Sequence, residues 1–391
     1  MRLIAMMTSR VNLALRLSKQ IPPQSRFDNV LASFSPSKLA ASISNTTSLF
    51  KKMGLLSTHR TLIKVVALTT LLSACELSSP PLNSLEVASK GIHAAALSDD
   101  GQHALIGSIY HGGSLWNIAD SERLYNWNHT NEEPSSLVAA DFSNDGRWAL
   151  SADNHTLVLW DVTSGKAERY WVAPGEILDA KLGPNADTAL LGLDNNTAVI
   201  FDIRKGGIKS TFIHQSRVRS VDYSRDGRYA LTGSEDYTAS LWDTHSSEKL
   251  FTFKHNDDVQ LVKLSPDGSL ALTVSKYDKA LLWETKEGKV LNEIPLSAQH
   301  LRSGTRYISA QFSNDSKYLL TGRPDRLAEL WKTDDLSRLA RWKVPKRQAW
   351  KPTSSAVIAV SFSTEANTFF AVTSNGFVHK LRRDDATAET P

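Results

Sequence analysis

The chain of 391 residues carries 45 Lys and Arg against 41 Asp and Glu, with ten Trp and a single Cys. Its 41% hydrophobic and 22% charged residues are ordinary for a globular protein and exclude collagen, coiled coil and wholesale disorder. One Cys excludes an intramolecular disulfide framework and a Cys-rich zinc site. The length allows two or three domains, or one large all-β domain.

The net charge of +4 conceals two segments of opposite character. Residues 1–74 contain ten basic residues and one acidic residue, which leaves 35 basic and 40 acidic residues in 75–391. The basic excess therefore belongs to the N-terminal segment. It gives no argument for nucleic-acid binding by the rest of the chain, and we predict no nucleic-acid partner.

A short apolar run over residues 65–74 follows two basic residues, Arg60 and Lys64, and ends in small residues. The run is too short to be a permanent bilayer span. Its order of basic, apolar and small residues is typical of a secretory signal peptide.

The only cysteine, Cys75, directly follows this run. Residues 72–75, Leu-Ser-Ala-Cys, resemble the lipobox of bacterial lipoproteins. That resemblance implies that Cys75 carries a diacylglyceryl group and becomes the first mature residue. Glu76 at the next position implies sorting to the outer membrane. The alternative is a buried core cysteine after a chance apolar stretch.

The segments around the signal are assigned by length and composition. Met53 lies 22 residues before Cys75, so we predict that 53–74 is the signal peptide and that 1–52 is an upstream extension or a misassigned start. A Ser-rich, acid-poor organellar transit peptide is the alternative. The polar, Pro-containing residues 75–83 are predicted to be a tether.

The rest of the chain repeats one pattern. A Ser-x-Asp-Gly turn, which is a strong hairpin signal because Gly supplies a positive φ, occurs at residues 98–101, 143–146, 224–227 and 265–268, with a degraded copy at 313–316. A second element follows each turn and usually ends in Leu-Trp. Its last residues are Trp116, Trp160, Phe201, Trp242, Trp283, Trp331 and Leu381, separated by 44, 41, 41, 41, 48 and 50 residues.

These features resemble the WD-repeat family, whose four-stranded units recur at about 40–45 residues. The resemblance covers about residues 85–382. It implies an all-β fold, a seven-bladed WD-repeat β-propeller over residues 84–382, in which neighbouring blades bury faces that no blade could bury alone. Phe201, Leu381 and the long last repeats depart from the pattern. Residues 383–391 have no strand pattern and are predicted to be a disordered tail.

The fourth unit contains all four residues of the structural tetrad that the family resemblance implies: His214, Thr232, Asp236 and Trp242. In the family these side chains form one hydrogen-bonded chain within a blade. A buried His with Asp and Thr also suggests a catalytic relay, but at the family spacing we favour the structural role. Other units match in part: His255, Thr273 and Trp283 with Tyr277 at the Asp position, and Thr321, Asp325 and Trp331; the third unit has Leu191, Asn195 and Phe201 instead.

The ring is predicted to close by pairing of the two chain ends. The last repeat supplies three strands, near 356–362, 368–373 and 377–382. Residues 84–88, before the first inner strand, are extended and alternating. We predict that they form the outer strand of blade seven, because this pairing removes an exposed sheet edge.

The resemblance also implies a partner-binding face, made of the loops before the inner strands and the turns near the tetrad Asp. Arg and Tyr are favoured contact residues in protein interfaces, although these arginines could equally be solvated surface charges. Trp350, in a basic insertion bounded by Pro, is either a contact residue or packs on the ring. The predicted face comprises Arg217, Arg219, Glu235, Tyr237, Asp258, Gln260, Lys276, Arg306, Arg323, Arg326 and Trp350.

The common catalytic and cofactor motifs are missing from the sequence. It has no His-Glu-x-x-His, no phosphate-binding Gly-rich loop ending in Lys-Ser/Thr and no nucleophile elbow. We therefore predict no enzyme activity, catalytic residue, cofactor or metal site. We predict a protein-interaction scaffold in the bacterial cell envelope, lipid-anchored at the periplasmic side of the outer membrane. The alternatives are a cytosolic or organellar WD-repeat scaffold and a factor in envelope or outer-membrane assembly.

Overall fold

The protein is described here from a computed structural model, which covers residues 78–130, 133–294, 296, 306–348 and 355–383. In these residues, 28 strands form seven four-stranded antiparallel sheets. None of the described residues belongs to a helix that could cross a membrane. The prediction of an all-β, seven-bladed propeller is confirmed.

Each sheet is one blade. In blades one to six the strand order follows chain order from the inner to the outer strand, and in blade seven the outer strand is the N-terminal β1. Blade one has β2 (Ile92–Leu97), β3 (His103–Ser108), β4 (Gly112–Asn117) and β5 (Glu122–Asn126); blade two has β6 (Ala139–Phe142), β7 (Trp148–Ala152), β8 (Thr156–Asp161) and β9 (Ala167–Val172); blade three has β10 (Ile177–Leu182), β11 (Thr188–Leu193), β12 (Thr197–Asp202) and β13 (Ile208–Ile213). Blade four has β14 (Val218–Tyr223), β15 (Tyr229–Ser234), β16 (Thr238–Asp243) and β17 (Lys249–Lys254); blade five has β18 (Val259–Leu264), β19 (Leu270–Ser275), β20 (Ala280–Glu284) and β21 (Lys289–Glu293). Blade six has β22 (Ser309–Phe312), β23 (Tyr318–Gly322), β24 (Leu327–Lys332) and β25 (Arg338–Lys343); blade seven has β26 (Val357–Phe362), β27 (Thr368–Thr373), β28 (Phe377–Arg382) and β1 (Asn83–Glu86).

Blade seven is built from both ends of the described chain. β1 pairs antiparallel with β28, so that Ser84 lies opposite His379 and Glu86 opposite Phe377. Closure by an N-terminal strand is thus confirmed, with the strand at Asn83–Glu86 and not at 84–88. The strand ends early because the amides of Val87 and Ala88 both turn to the carbonyl oxygen of Gly376.

The hydrophobic core lies between the blades. Seven clusters of buried apolar side chains occur in the described residues, and each joins two neighbouring blades. An aromatic residue at the end of an outer strand packs on the tryptophan of the next blade. The ring centroids of Phe212 and Trp242 are 4.7 Å apart, and those of Phe253 and Trp283 are 4.3 Å apart. The repeated tryptophan is therefore a contact between blades, which explains its period.

Candidate functional site

The ring has two faces with different loops. We call upper face the side formed by the loops that join each outer strand to the next inner strand, together with the turns between the second and third strands of each blade. The lower face carries the other turns, including those of the Ser-x-Asp-Gly pattern. All of the predicted partner-binding residues in the described ranges lie in or beside loops of the upper face.

The tetrad residues of blade four form a continuous hydrogen-bonded chain. His214 Nε2 is 2.8 Å from Thr232 Oγ1, and His214 Nδ1 is 3.0 Å from Asp236 Oδ2. Trp242 Nε1 donates to the same threonine hydroxyl at 2.8 Å. Burial raises the pKa of Asp236, but hydrogen bonds from His214 and Thr238 outweigh it and hold that pKa well below its usual value. The chain ties the loop before β14 to the β15–β16 turn and so fixes the upper face of blade four.

Blade two contains a second tetrad that the sequence reasoning missed. His129 Nε2 lies 2.8 Å from Ser151 Oγ, to which Trp160 Nε1 also donates at 2.8 Å. His129 Nδ1 lies 3.2 Å from Asp153 Oδ2. Serine replaces the threonine of blade four, and it stands one residue nearer to the tryptophan. The signal available in the sequence was the Ser and Asp pair shortly before the Leu-Trp of that unit.

The tetrad of blade five lacks its acid. His255 Nε2 and Trp283 Nε1 both reach Thr273 Oγ1, at 2.8 and 2.7 Å. His255 Nδ1 has no hydrogen-bond partner among the described residues. Tyr277, at the aligned acid position, is exposed. Burial lowers the pKa of His255 to about 4, so this histidine is neutral near pH 7.

Arg323 was predicted to lie on the partner-binding face, but the structure buries its side chain. Its side chain is only 4% exposed, and it donates to Asp325 Oδ1 at 2.9 Å and to Glu329 Oε2 at 3.4 Å. Glu329 lies opposite Thr321 in β23, the position that Ser240 has opposite Thr232 in blade four. A carboxylate buried there requires a cation, and this draws the guanidinium into the blade, away from any partner.

The buried carboxylate predicts a large stability effect within blade six. Replacing Glu329 with Ala should destabilise the protein by about 3–5 kcal/mol, because Arg323 would stay buried without this partner. Urea unfolding of both proteins measures the difference. Glu365→Ala is the matched control. It removes an exposed ion pair with Lys380 (2.6 Å) and should cost far less, because exposed ion pairs contribute little to stability. Equal losses in the two variants would contradict this account.

The upper face of blades four and five carries charges of alternating sign. Arg217 Nε and Arg219 Nε contact the two oxygens of Glu235, at 2.8 and 2.5 Å. Burial raises the pKa of Glu235, but the two arginines outweigh it and lower the pKa below its usual value. On the next blade, Lys276 Nζ lies 3.9 Å from Asp258 Oδ2. Burial, with help from the nearby carboxylate of Glu235, raises the pKa of Asp258.

The remaining predicted residues occupy varied positions. Gln260 lines the central channel, and Arg306 is half-buried before β22. Tyr237 is 49% exposed in the β15–β16 turn, and Arg326 is half-buried in the equivalent turn of blade six. Trp350 lies outside the described residues, as does the lipid-attachment candidate Cys75.

Two of these residues have unusual backbone conformations. Tyr237 has φ 68° and Arg326 has φ 75°. Each stands five residues before the tryptophan of its blade, and Asn196 and Gly376 occupy the same turn position in blades three and seven, also with positive φ. Gly and Asn adopt this left-handed region readily, whereas a large side chain there is strained.

The lower end of the central channel is filled by Arg225. Its Nη2 lies 2.7 Å from Asp99 Oδ2 and 3.0 Å from Asn314 Oδ1. Its backbone amide donates to Pro266 O, and its backbone oxygen accepts from Asn144 Nδ2. Blades one, two, four, five and six are therefore joined at this end of the ring.

The channel walls are polar, and two of their carboxylates are paired with lysines, whereas Asp179 accepts from Ser220 Oγ and Val221 N. The channel has a volume of about 400 Å³. Lys181 Nζ contacts Asp141 Oδ1 at 2.7 Å, and Lys263 Nζ contacts Asp222 Oδ1 at 3.2 Å. Among the residues that the structure covers, no group of three or more His, Cys, Asp and Glu could hold a metal ion. The walls therefore act as ties between neighbouring blades.

Comparison with protein families matches two segments of the chain, residues 124–161 and 206–243, to the model of the WD domain, G-beta repeat. The first segment runs from β5 to β8 and the second from the turn before β13 to β16, so each contains one outer strand and three strands of the next blade. A comparison with curated proteins finds no match. Propellers of WD40 repeats are typically non-catalytic scaffolds that commonly bind other proteins.

Proposed function

We propose that this protein is a membrane-anchored interaction scaffold that binds another protein through the upper face of its propeller. The observation that carries the proposal is the set of large side chains that turns of that face present: Tyr237 and Arg326, both held at positive φ, with Tyr237 and Tyr277 exposed. Such strain costs on the order of 1–3 kcal/mol per residue and clusters at functional sites. Because Asn196 and Gly376 occupy the same position without this cost, the fold does not require Tyr or Arg there.

The chemistry of the upper face supports a protein partner. Tyr237 and Tyr277 are both exposed there, and aromatic and Arg side chains are enriched at the centres of protein interfaces. The ion pairs of Arg217 and Arg219 with Glu235 hold these three side chains in place before a partner arrives. This lowers the entropic cost of binding. The arginines favour a partner segment that carries acidic residues.

The buried tetrads support a scaffold over an enzyme. His214 and Thr232 in blade four and His255 and Thr273 in blade five are buried. A catalytic base must come within hydrogen-bond distance of the proton that it removes from a substrate. Their imidazole rings form hydrogen bonds to hydroxyl or carboxylate groups of their own blades, and their backbone amides bond the turn of the preceding blade, so we assign them to positioning the loops.

Relieving the strain should stabilise the protein and weaken partner binding. In the double variant Tyr237→Gly, Arg326→Gly we expect the melting temperature to rise by about 1–4 °C, because Gly adopts positive φ without a steric penalty. Partner contact is read from a photo-crosslinking amino acid at the exposed position of Tyr277, with the protein in its own envelope. We expect the crosslinked adduct to fall several-fold in the double variant.

Two controls make this prediction specific. Asn196→Gly changes the same turn position in blade three and should leave the adduct unchanged. The crosslinker at Ser246, in the exposed β16–β17 turn of the lower face, should give no adduct that depends on Tyr237 or Arg326. A more stable double variant with an unchanged Tyr277 adduct would contradict binding through the upper face.

The second part of the proposal concerns location. The lipobox at residues 72–75 and the signal over 53–74 support acylation at Cys75 and an envelope location, with Glu76 favouring the outer membrane. A periplasmic scaffold of this kind could serve outer-membrane assembly, and the identity of the crosslinked protein decides that narrower role. A cytosolic or organellar WD-repeat scaffold is the alternative, in which residues 1–74 are a targeting or misassigned segment.

A further inference from the structure

We propose that the outer rim of blades six and seven lies against an anionic phospholipid surface. The inference rests on the proposed lipid attachment at Cys75. We define the basic rim by four residues, Lys343 and Lys346 at and beyond the end of β25, and Arg382 and Arg383 at and beyond the end of β28. It would give the ring a fixed orientation at the membrane.

The chain emerges from the propeller at this rim. Ser79 N donates to Arg341 O, and Lys343 N donates to Ser79 O, both at 2.9 Å. Ser79 thus extends the outer edge of blade six as a parallel bridge to Trp342. Leu82 N then donates to Lys380 O of blade seven at 2.7 Å. The segment that follows the proposed anchor therefore crosses from blade six to blade seven along their outer edges.

Chain length keeps the anchor near the rim. Ser79 is four positions after Cys75, and an extended chain of that length spans at most about 14 Å. Acyl chains on Cys75 would therefore hold Ser79 within about 14 Å of the lipid attachment point. Whatever surface receives the acyl chains must then face this part of the propeller.

The rim carries an excess of positive charge. Between Asp335 and Glu365 the sequence contains six basic residues and no acidic residue, whereas Arg382 and Arg383 are followed directly by Asp384 and Asp385. The excess of positive charge therefore comes from the β25 side of the rim. The side chains of Lys343 and Arg382 are exposed, and those of Lys346 and Arg383 are half-buried. Trp342 Nε1 donates to Arg382 O at 2.9 Å, which brings the ends of the two strands together.

The basic rim forms no ion pair with the residues that the structure describes, although the carboxylate of Glu365 lies near enough to Arg382 to feel its charge. The adjacent Arg347 and Lys380 are different, because Glu86 and Glu365 contact them at 2.7 and 2.6 Å. A basic patch beside a lipid anchor attracts anionic headgroups, and it is the second of two signals that stabilise attachment. The acyl chains would supply affinity, and the basic rim would supply orientation.

Energy transfer to the membrane tests this orientation. In the acylated protein the thiol of Cys75 is consumed, so one introduced cysteine is the only site for a fluorophore. Ser337→Cys lies directly before β25, and Glu248→Cys occupies the equivalent exposed position before β17 of blade four; their carbonyl oxygens accept the same turn hydrogen bond, at 3.0 Å. On vesicles of phosphatidylethanolamine and phosphatidylglycerol with a rhodamine lipid as acceptor, we expect higher transfer from position 337 than from position 248.

Charge reversal identifies the cause of the difference. The triple variant Lys343→Glu, Arg382→Glu, Arg383→Glu should lose the difference between the labels while still floating with the vesicles, and phosphatidylcholine vesicles should have the same effect on the unchanged rim. A matched triple variant reverses the same number of positive charges, at three exposed lysines elsewhere, and should keep the difference: Lys205→Glu, Lys254→Glu and Lys286→Glu. Thermal melting checks that both triple variants are folded.

The outcomes separate the rim from the anchor. A protein that floats but gives equal transfer from both labels on anionic vesicles would overturn the membrane contact, and the basic rim would then be assigned to an acidic protein. If the charge-reversed variant keeps the same excess of transfer from position 337 over position 248 as the unchanged rim, that result would overturn the role of these charges. A protein that is not acylated and does not float would overturn the lipid anchor and the rim orientation together.

Discussion

Replacing Ser84 and Leu85 of β1 with Pro should lower the midpoint of thermal unfolding by about 10 °C or more, because the pair of substitutions opens the ring. Proline has no amide hydrogen to donate, so pairing with β28 is lost. Ser84 Oγ, which lies 2.7 Å from the buried Nδ1 of His379, is removed as well. The loss of several hydrogen bonds and of the burial of Val87 amounts to roughly 4–8 kcal/mol, which corresponds to a shift of this size.

The same change in another outer strand separates ring closure from local damage. Val290→Pro and Leu291→Pro in β21 disrupt the outer strand of blade five, which is mostly exposed like β1. Blade five stays joined to both neighbours by the chain, so we expect a clearly smaller shift. Each variant exposes the third strand of its blade as a free sheet edge, β28 or β20, so both should aggregate more readily and only the size of the thermal shift tests ring closure. Equal shifts in the two variants would show that β1 has no special role in closing the ring.

Much of the fold could be predicted, because each repeated residue meets one structural requirement of the blade. Trp242 and Trp283 recur because each fills a layer between two blades. The Asp-Gly turns recur because a two-strand connection needs positive φ, and Gly227 and Gly268 have φ 72° and 69°. A strand without a partner before the first repeat indicated closure, since the last repeat supplied one strand too few.

The parts that could not be predicted depend on register across strands. From the sequence alone, Glu329 cannot be distinguished from other charged residues near a Leu-Trp pair. Only its place opposite Thr321 shows that it is buried, and only then does it follow that Arg323 turns inward. The blade-two tetrad was missed for a related reason, because a serine shifted by one residue can still reach His129. No sequence pattern in either segment indicates the bridge between Ser79 and Trp342.

The candidate interaction face was predicted in part. The loops that carry Arg217, Glu235 and Tyr237 follow from the repeat register alone. The positive φ of Tyr237 and Arg326 could not be read from residue type, since both residues are rare in that conformation. Leu336 and Ala186 also have positive φ, in turns of the lower face, so the strain points to binding only together with the exposure of Tyr237 and Tyr277 on the upper face.

Loss of Cys75 should abolish acylation, because the acyl chains attach only to that residue. Cys75→Ala removes the thiol that takes the diacylglyceryl group, so we expect the signal over 53–74 to stay attached and acylation to be absent. The lipid-dependent parts of the account, the envelope location and the orientation of the basic rim, both require this modification. A retained apolar signal could still hold the variant at the membrane, so fractionation alone would not decide the matter.

The most direct measurement is therefore the intact mass of the protein from each cell fraction of a Gram-negative host, with the wild type beside Cys75→Ala. A membrane-bound wild type whose chain begins at an acylated Cys75, next to an unprocessed variant, is the predicted result. A wild type that is soluble, unacylated and still carries residues before Cys75 would contradict the membrane-anchored scaffold and would move the search for its partner to the cytoplasm.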